Sequence, residues 1–269
     1  MSVTHGKLEG RITVPSGVTI AIVDSGGAAT CAITAGDYYL STPGSGVNEL
    51  IFQLQVDLTS SGAGDVWAVS IDAGEDGSGK VTIDDTQMHS GGGWSITWTS
   101  TVLRDILGFA GDISGSTTAQ TGSNHAKYLW IPDCPIISPY GAGDDGTSET
   151  DARTVESPAG HVSVLYSQRK TVLELSWEAL SHAKTRIAGE STTGESFEQF
   201  FADVILGEDR WATVPGGPIR VHWDAADDAT YTTYAAAGEI AKGFRPEQVQ
   251  QGWIGLWKHR LDRLVKVPS

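Results

Sequence analysis

The fold of this chain is decided by residues 67–109, WAVSIDAGEDGSGKVTIDDTQMHSGGGWSITWTSTVLRDILGF. Large apolar side chains alternate with small or polar ones in three short runs, which is the two-residue period of a half-buried strand. A run with helical spacing follows, and Gly108 is placed as its stop. The stretch therefore predicts three strands and a short helix, at Trp67/Val69/Ile71, Val81/Ile83, Trp94/Ile96/Trp98 and Thr101–Leu107.

A longer helix is predicted before these strands, over Val47–Leu58. Ser45 suits its N-cap, because a serine hydroxyl accepts a hydrogen bond from a free backbone N–H. Asp72–Gly79 lies between the first two strands and has the glycine-rich composition of a hairpin connection. The first half is therefore expected to pack a helix on an antiparallel sheet. The helix turns the following apolar residues to one face: Val47, Leu50, Ile51, Leu54 and Leu58.

The length of 269 residues favours two domains over one large β-rich domain. Pro132–Gly160 contains four prolines and the polar run Gly141–Thr150, a composition typical of a linker or long loop. The sequence thus predicts an α+β, β-rich protein of two domains, each an antiparallel or barrel-like sheet with one or two packed helices. The predicted boundaries are 1–135 for the N-terminal domain, 136–160 for the linker or loop, and 161–269 for the C-terminal domain.

The second half is predicted to begin with strands at His161–Tyr166 and Thr171–Trp177. Ser196 and Gln199 form a capping-box pair before an aromatic helix, which Gly207 ends. A further strand is indicated where Ile219, Val221 and Trp223 alternate with Arg220 and His222. That alternation places Arg220 and His222 on the solvent side.

Composition and charge narrow the classes of function. The formal net charge is −15, of which residues 1–160 carry −13 and residues 161–269 carry −2. General or sequence-specific nucleic-acid binding is not expected, because it requires a basic footprint. No stretch approaches the roughly 20 apolar residues of a membrane helix. Cys31 and Cys134 are far apart and are expected to be buried free thiols.

Motifs that would carry chemistry were compared with the sequence and mostly rejected. Gly74–Lys80 has the first spacing of a phosphate-binding loop, but Val81 stands where Ser or Thr is needed, and a strand follows instead of a helix. The same stretch fails as a calcium loop, because Gly74 and Ile83 occupy ligand positions. None of the seven histidines has the i, i+4 spacing of a helical zinc site. We therefore expect no catalytic residues, no cofactor and no metal, and no enzyme.

Two parts of the sequence resemble proteins of tailed-bacteriophage particles. Ala35–Leu40 (AGDYYL), with the helix and strands after it and the closing Trp94–Phe109, is similar to a pattern of virion structural proteins, and Lys127–Pro135 (KYLWIPDCP) continues that likeness. Leu173–Ala183 (LELSWEALSHA) followed by Phe197–Trp211 (FEQFFADVILGEDRW) resembles the distal-tail type. The resemblance implies a structural, ring-forming subunit near the tail tube or its distal end.

Three functions compete at this point. The first is a phage tail component, such as a distal-tail, tube or adaptor ring. Its partners would be copies of itself, in a homo-oligomer for which a hexamer is favoured, and neighbouring virion proteins. The second is a capsid-surface decoration or accessory virion protein. The third is a tail-associated carbohydrate-active hydrolase, which would need two carboxylates flanking a cleft. The resemblance implies a protein assembled in the host cytoplasm and located in the virion.

The segment Trp253–Val267 is the predicted assembly surface. It combines an apolar cluster with basic side chains that complement the acidic first half of a neighbouring copy. The alternative is that the segment forms the edge strand of its own domain, with its basic residues facing solvent. The candidate surface residues are Trp253, Trp257, Lys258, Arg260, Arg263 and Lys266.

Overall fold

The structure, a computed structural model, describes residues 6–40, 49–61, 65–73, 78–88, 92–131, 147–156, 162–180, 197–205, 207, 211, 218–224, 230–236, 247–248 and 257–266. Strands dominate these ranges and helices are short. The strands before residue 132 are β1 (Lys7–Gly10), β2 (Ile12–Val14), β3 (Thr19–Asp24), β4 (Gly27–Ala32), β5 (Gly36–Tyr38), β6 (Trp67–Ile71), β7 (Val81–Asp85), β8 (Trp94–Trp98), β9 (Ile113–Ser116), β10 (Gln120–Thr121) and β11 (Leu129–Trp130).

The later strands are longer on average. They are β12 (Thr147–Glu156), β13 (Val162–Leu180), β14 (Ile219–His222), β15 (Thr232–Ala236), β16 (Glu247–Gln248) and β17 (Trp257–Lys266). The helices are α1 (Leu50–Ser61), α2 (Thr101–Ile106) and α3 (Phe197–Phe200), which continues as a π-helical turn over Phe201–Ile205.

All strand pairs are antiparallel and form four open sheets. The orders are β11-β1-β14-β15-β17-β13-β12, with β16 beside β17, then β4-β3-β8-β9, then β10-β7-β6, and finally β2-β5. The predicted α+β, β-rich class is therefore confirmed. None of the sheets closes into a barrel within the described ranges.

Helix α1 fills the space between two sheets of the first half. It begins at Leu50, three residues after the predicted start, and the predicted N-cap Ser45 lies outside the described residues. Leu54 and Leu58, with the other described members of its predicted apolar face, are fully buried. Its polar flank covers the edge of the three-stranded sheet: the Val69 amide donates to Gln55 Oε1 at 3.0 Å, and the Trp67 amide donates to Thr59 Oγ1 at 3.3 Å. The edge donors of β6 are thus satisfied by side chains instead of another strand.

Helix α2 confirms the local prediction at both of its ends. The Ser100 hydroxyl accepts a hydrogen bond from the Leu103 amide, and the helix stops where Gly108 adopts a φ of +79°. A Cβ atom at Gly108 would lie 2.3 Å from the carbonyl oxygen of Asn124. Glycine is required here both by the left-handed backbone and by the close approach of a second chain segment.

The eight-stranded sheet joins residues from both sides of the predicted linker. Strand β1 pairs with β14, so that Leu8 lies opposite Val221. Gly10 lies against the π-helical turn, where a Cβ atom would come within 2.3 Å of Val204 Cγ2. The division into domains 1–135 and 161–269 stays a prediction, because a shared sheet and separately folding units are different properties of a chain.

Two predictions for the middle of the chain are corrected by the strands. Residues 147–156 of the predicted linker form β12, which pairs along its length with β13. The two predicted strands at His161–Tyr166 and Thr171–Trp177 are parts of one 19-residue strand, Val162–Leu180. Pairing of Gln168, Arg169 and Lys170 with β12 explains why these polar residues do not end the strand. The predicted cap Ser196 lies outside the described residues.

Candidate functional site

The predicted assembly segment contains an interior strand. Trp257–Lys266 is β17, which pairs with β13 on one side and with β15 and β16 on the other. The alternative prediction of an edge strand is therefore wrong, because both sides of this backbone take part in strand pairing. Trp253 lies outside the described residues. The assembly role of Trp257, Lys258, Arg260, Arg263 and Lys266 stays a prediction.

The polar side chains of β14 are buried, contrary to the solvent exposure that their alternation predicted. Arg220 is 5% exposed and His222 is 0% exposed. The physical reason is the neighbouring strand, since register sets Glu9 opposite Arg220 and Lys7 opposite His222. All four side chains stand on the same face of this strand pair. We call Lys7, Glu9, Arg220 and His222 the buried charged cluster.

Close contacts link three members of the buried charged cluster. The Glu9 carboxylate lies 3.1 Å from His222 Nε2 and 3.9 Å from Lys7 Nζ, and all three side chains are 0% exposed. Lys7 Nζ also donates to the carbonyl oxygen of Ala73, at 3.4 Å. Burial of charges costs free energy that only opposite charges and hydrogen bonds can offset. Each of these charged side chains is therefore stable in the interior only while its partners are present.

Two tyrosines from distant parts of the chain stack on the fourth member. The Arg220 guanidinium carbon lies 3.8 Å from the ring centroid of Tyr39 and 4.1 Å from that of Tyr231. Such cation–π contacts strengthen when they are removed from water. The pKa of the Tyr39 hydroxyl is raised, chiefly by burial and against the opposing influence of Arg220. Tyr231 also contacts the His222 ring, with centroids 5.5 Å apart.

The buried charged cluster connects the two halves of the sequence. Lys7, Glu9 and Tyr39 come from the first half, whereas Arg220, His222 and Tyr231 come from the second. Its acidic and basic groups have the chemistry of a catalytic site. Their contacts given above are with one another, with the two tyrosine rings and with backbone, which suits an internal tie between strands. Sequence patterning could not find it, because Lys7 and Glu9 gave no strand signal of their own.

A second group of buried acids lies at the end of the four-stranded sheet. Asp65 accepts hydrogen bonds from the amide and the hydroxyl of Ser25, which hold the pKa of Asp65 below its ordinary value. Burial is the main reason that the pKa of Asp85 is raised, and the neighbouring charges of Asp65 and Asp24 act in the same direction. The pKa values of these two neighbouring carboxyl groups are therefore shifted in opposite directions, as their different hydrogen bonding and burial require.

The two ends of the predicted hairpin connection are bonded to each other, whereas residues 74–77 lie outside the described residues. The Asp72 side chain accepts hydrogen bonds from the amide and the hydroxyl of Ser78, both at 2.8 Å. The Asp72 amide donates to the carbonyl oxygen of Lys80, which directly precedes β7. The connection therefore leads from one strand of a pair to the other, as its composition indicated.

The outer face of the four-stranded sheet is built from small, uncharged side chains. The inner face is buried and holds the large residues, including Ile20, Trp94 and Trp98. On the outer face, short side chains on three adjacent strands leave a hollow of about 330 Å³. The outward-facing residues around this hollow, which we call the small-residue face, are Ala21, Val23, Ala28, Thr30, Ser95 and Thr97.

Comparisons with known proteins give no relative. No family model matches the chain, and no curated protein or solved structure is significantly similar to it. Among the described residues, no group of three or more His, Cys, Asp or Glu side chains is arranged to hold a metal ion. Every helix in the ranges above is too short or too polar to cross a membrane. Cys31, one of the two predicted buried thiols, is buried, whereas Cys134 lies outside those ranges.

Proposed function

We propose that this chain is a structural subunit of a tailed-bacteriophage particle and assembles with copies of itself into a ring of the tail, as a distal-tail, tube or adaptor component. The assignment to a phage particle is supported by the two stretches of sequence that resemble virion proteins. The observation that carries self-assembly is the small-residue face, which is outward-facing and uncharged in a chain of net charge −15.

Charge explains why that surface favours contact between identical copies. Two subunits of net charge −15 repel one another wherever their acidic surfaces meet. A face without charged side chains avoids this repulsion and also requires no desolvation of ions. The short side chains that line the hollow also let a group of another subunit approach the strand backbones closely.

The mass of the assembled protein tests the proposal. We expect the full chain to form a closed ring, with a hexamer as the preferred order, in native mass spectrometry and in negative-stain micrographs. A protein that stays monomeric up to its solubility limit would contradict self-assembly. A trimer would favour the capsid-decoration function, and cleavage of a polysaccharide by the purified chain would favour the hydrolase.

A further inference from the structure

Four exposed valine or phenylalanine side chains lie at three places in the described part of the chain. They are Val23, Phe52, Val56 and Val66, which are 40–49% exposed. Val23 belongs to the small-residue face, and Val66 follows Asp65, which is bound to the Ser25 turn at the end of the same strand. Phe52 and Val56 lie together on α1. Exposed apolar groups that cluster in this way mark contact surfaces more often than scattered ones do.

Phe52 and Val56 form a ridge along α1. They are one helical turn apart and therefore on the same side of the helix, opposite the buried Leu54 and Leu58. The only charged residue of α1 is Asp57, which is buried and accepts hydrogen bonds from Thr34. The exposed side of the helix is thus uncharged, like the small-residue face.

The ridge is held in a fixed position by its polar neighbours. Gln53 Nε2 donates to Asp57 at 2.8 Å on one flank, and Gln55 accepts from the Val69 amide at 3.0 Å on the other. The second bond ties α1 to the three-stranded sheet, and the first orients Asp57, whose carboxylate accepts from the Thr34 amide between β4 and β5. A surface that is ordered before it binds loses less conformational entropy on association, so the ridge is prepared for contact.

The two surfaces are compatible in shape, and both are uncharged. The hollow of about 330 Å³ is concave, while the ridge projects from a helix. A cavity of about 150 Å³ is enough to hold a benzene ring, so the hollow has room for a phenylalanine side chain. Neither surface carries an exposed charge, and the contact therefore escapes the repulsion that acid-rich subunits meet elsewhere.

We propose that the α1 ridge of one copy of this chain docks in the hollow of the small-residue face of the next copy. The inference rests on the proposed self-assembly and names the surfaces that perform it. Because the two surfaces are different, the contact is heterologous, so repeated contacts generate a ring when the rotation closes. Phe52 is the anchor, since buried aromatic side chains supply most of the affinity of such contacts.

Substitutions on each surface test the contact in the full chain. Phe52→Glu and Thr97→Arg are each expected to raise the subunit concentration at half-assembly by about tenfold or more, because apolar contact is lost and a charge must be desolvated. Thr101→Glu and Thr117→Arg introduce the same charges at exposed positions outside both surfaces and are expected to leave assembly unchanged. Assembly of Phe52→Glu at the unmodified concentration would overturn the proposal.

Disulfide trapping distinguishes this contact from other ways of assembling. Val56→Cys and Ala28→Cys subunits are prepared separately, both with Cys134→Ser so that this native thiol cannot cross-link, oxidised alone or mixed, and compared on a non-reducing gel. The proposal requires cross-linked dimers in the mixture and none in either protein alone. Cross-linking of Val56→Cys by itself would show a symmetric helix-to-helix contact and overturn the proposal. Rings that form without cross-links would overturn this contact but not self-assembly, whereas unmodified protein that forms no rings would contradict both.

Discussion

The four-stranded sheet buries one face of its strands, which is apolar, whereas β1 and β14 are buried on both faces, one of which is charged. In the sheet, the buried face is apolar and includes Trp94, which makes a perpendicular ring contact with Trp67 at 5.3 Å. In the strand pair, the charged face carries Lys7, Glu9 and His222. An apolar core tolerates local change in proportion to the volume lost, whereas an ionic core depends on every partner.

Removal of one charge from the ionic core is the largest expected effect. Glu9→Ala leaves Lys7 and His222 without their shared carboxylate, and the free energy of unfolding should fall by about 3–5 kcal/mol. Asp37→Ala is the matched control, because Asp37 makes a half-exposed contact with Arg11 at 3.6 Å and should cost less than about 1 kcal/mol. Chemical denaturation measures both. Equal losses of unfolding free energy in the two variants would show that the buried ion pairs contribute no more than a half-exposed one.

A cavity in the apolar core is expected to cost somewhat less. Leu54→Ala removes a fully buried side chain from α1, and the loss of contacts should lower the free energy of unfolding by about 3 kcal/mol. Phe52→Ala on the exposed side of the same helix should change the stability of the unassembled subunit by less than about 0.5 kcal/mol. A large loss for Phe52→Ala in isolated subunits would mean that the ridge packs within its own chain.

The smallest expected effect is an increase in the free energy of unfolding that depends on pH. Because the pKa of Asp85 is raised, the stability linked to its proton is present in acid, below the ordinary aspartate value of 3.8, and is lost as the pH rises through the raised value. Asn at this position imitates the protonated acid. Asp85→Asn should therefore raise the free energy of unfolding by about 1 kcal/mol at neutral pH.

The pH profile provides the control for this variant. The difference between Asp85→Asn and the unmodified protein should shrink as the pH falls, because the unmodified carboxyl becomes protonated in the folded state. Thermal unfolding followed by circular dichroism from neutral pH into acid measures that difference. A gain that is the same at every pH would show that protonation of Asp85 is not its cause.

Local pattern predicts the apolar region well. The alternation of Trp94, Ile96 and Trp98 with small polar residues gave the correct strand and buried face, and helical spacing identified the buried side of α1. In these elements the large apolar side chains face the core and the small or polar ones face outward, so their periodicity and their environment agree. Strand β4 was missed because its sequence, GAATCA, contains no large apolar side chain to alternate.

The sequence pattern gives a wrong prediction where polar residues are buried or belong to a strand. Arg220 and His222 alternate correctly with apolar residues, yet their face is covered by a partner more than two hundred residues away. Residues 147–156 are polar and read as a linker, although pairing with β13 makes them a strand. Only the three-dimensional neighbour supplies the missing information, and neither composition nor spacing contains it.

The order of strands in the large sheet has a consequence for how the protein is made. Strand β17 lies between β13 and β15 although it follows both in the sequence, and Glu9 meets its partner His222 across 213 residues. At about 5–20 residues per second, the ribosome needs roughly 10 to 40 s to deliver that partner. The apolar sheets of the first half can form during this interval, while Lys7 and Glu9 remain in water. The order of synthesis therefore allows the small-residue face to form before β1 pairs with β14.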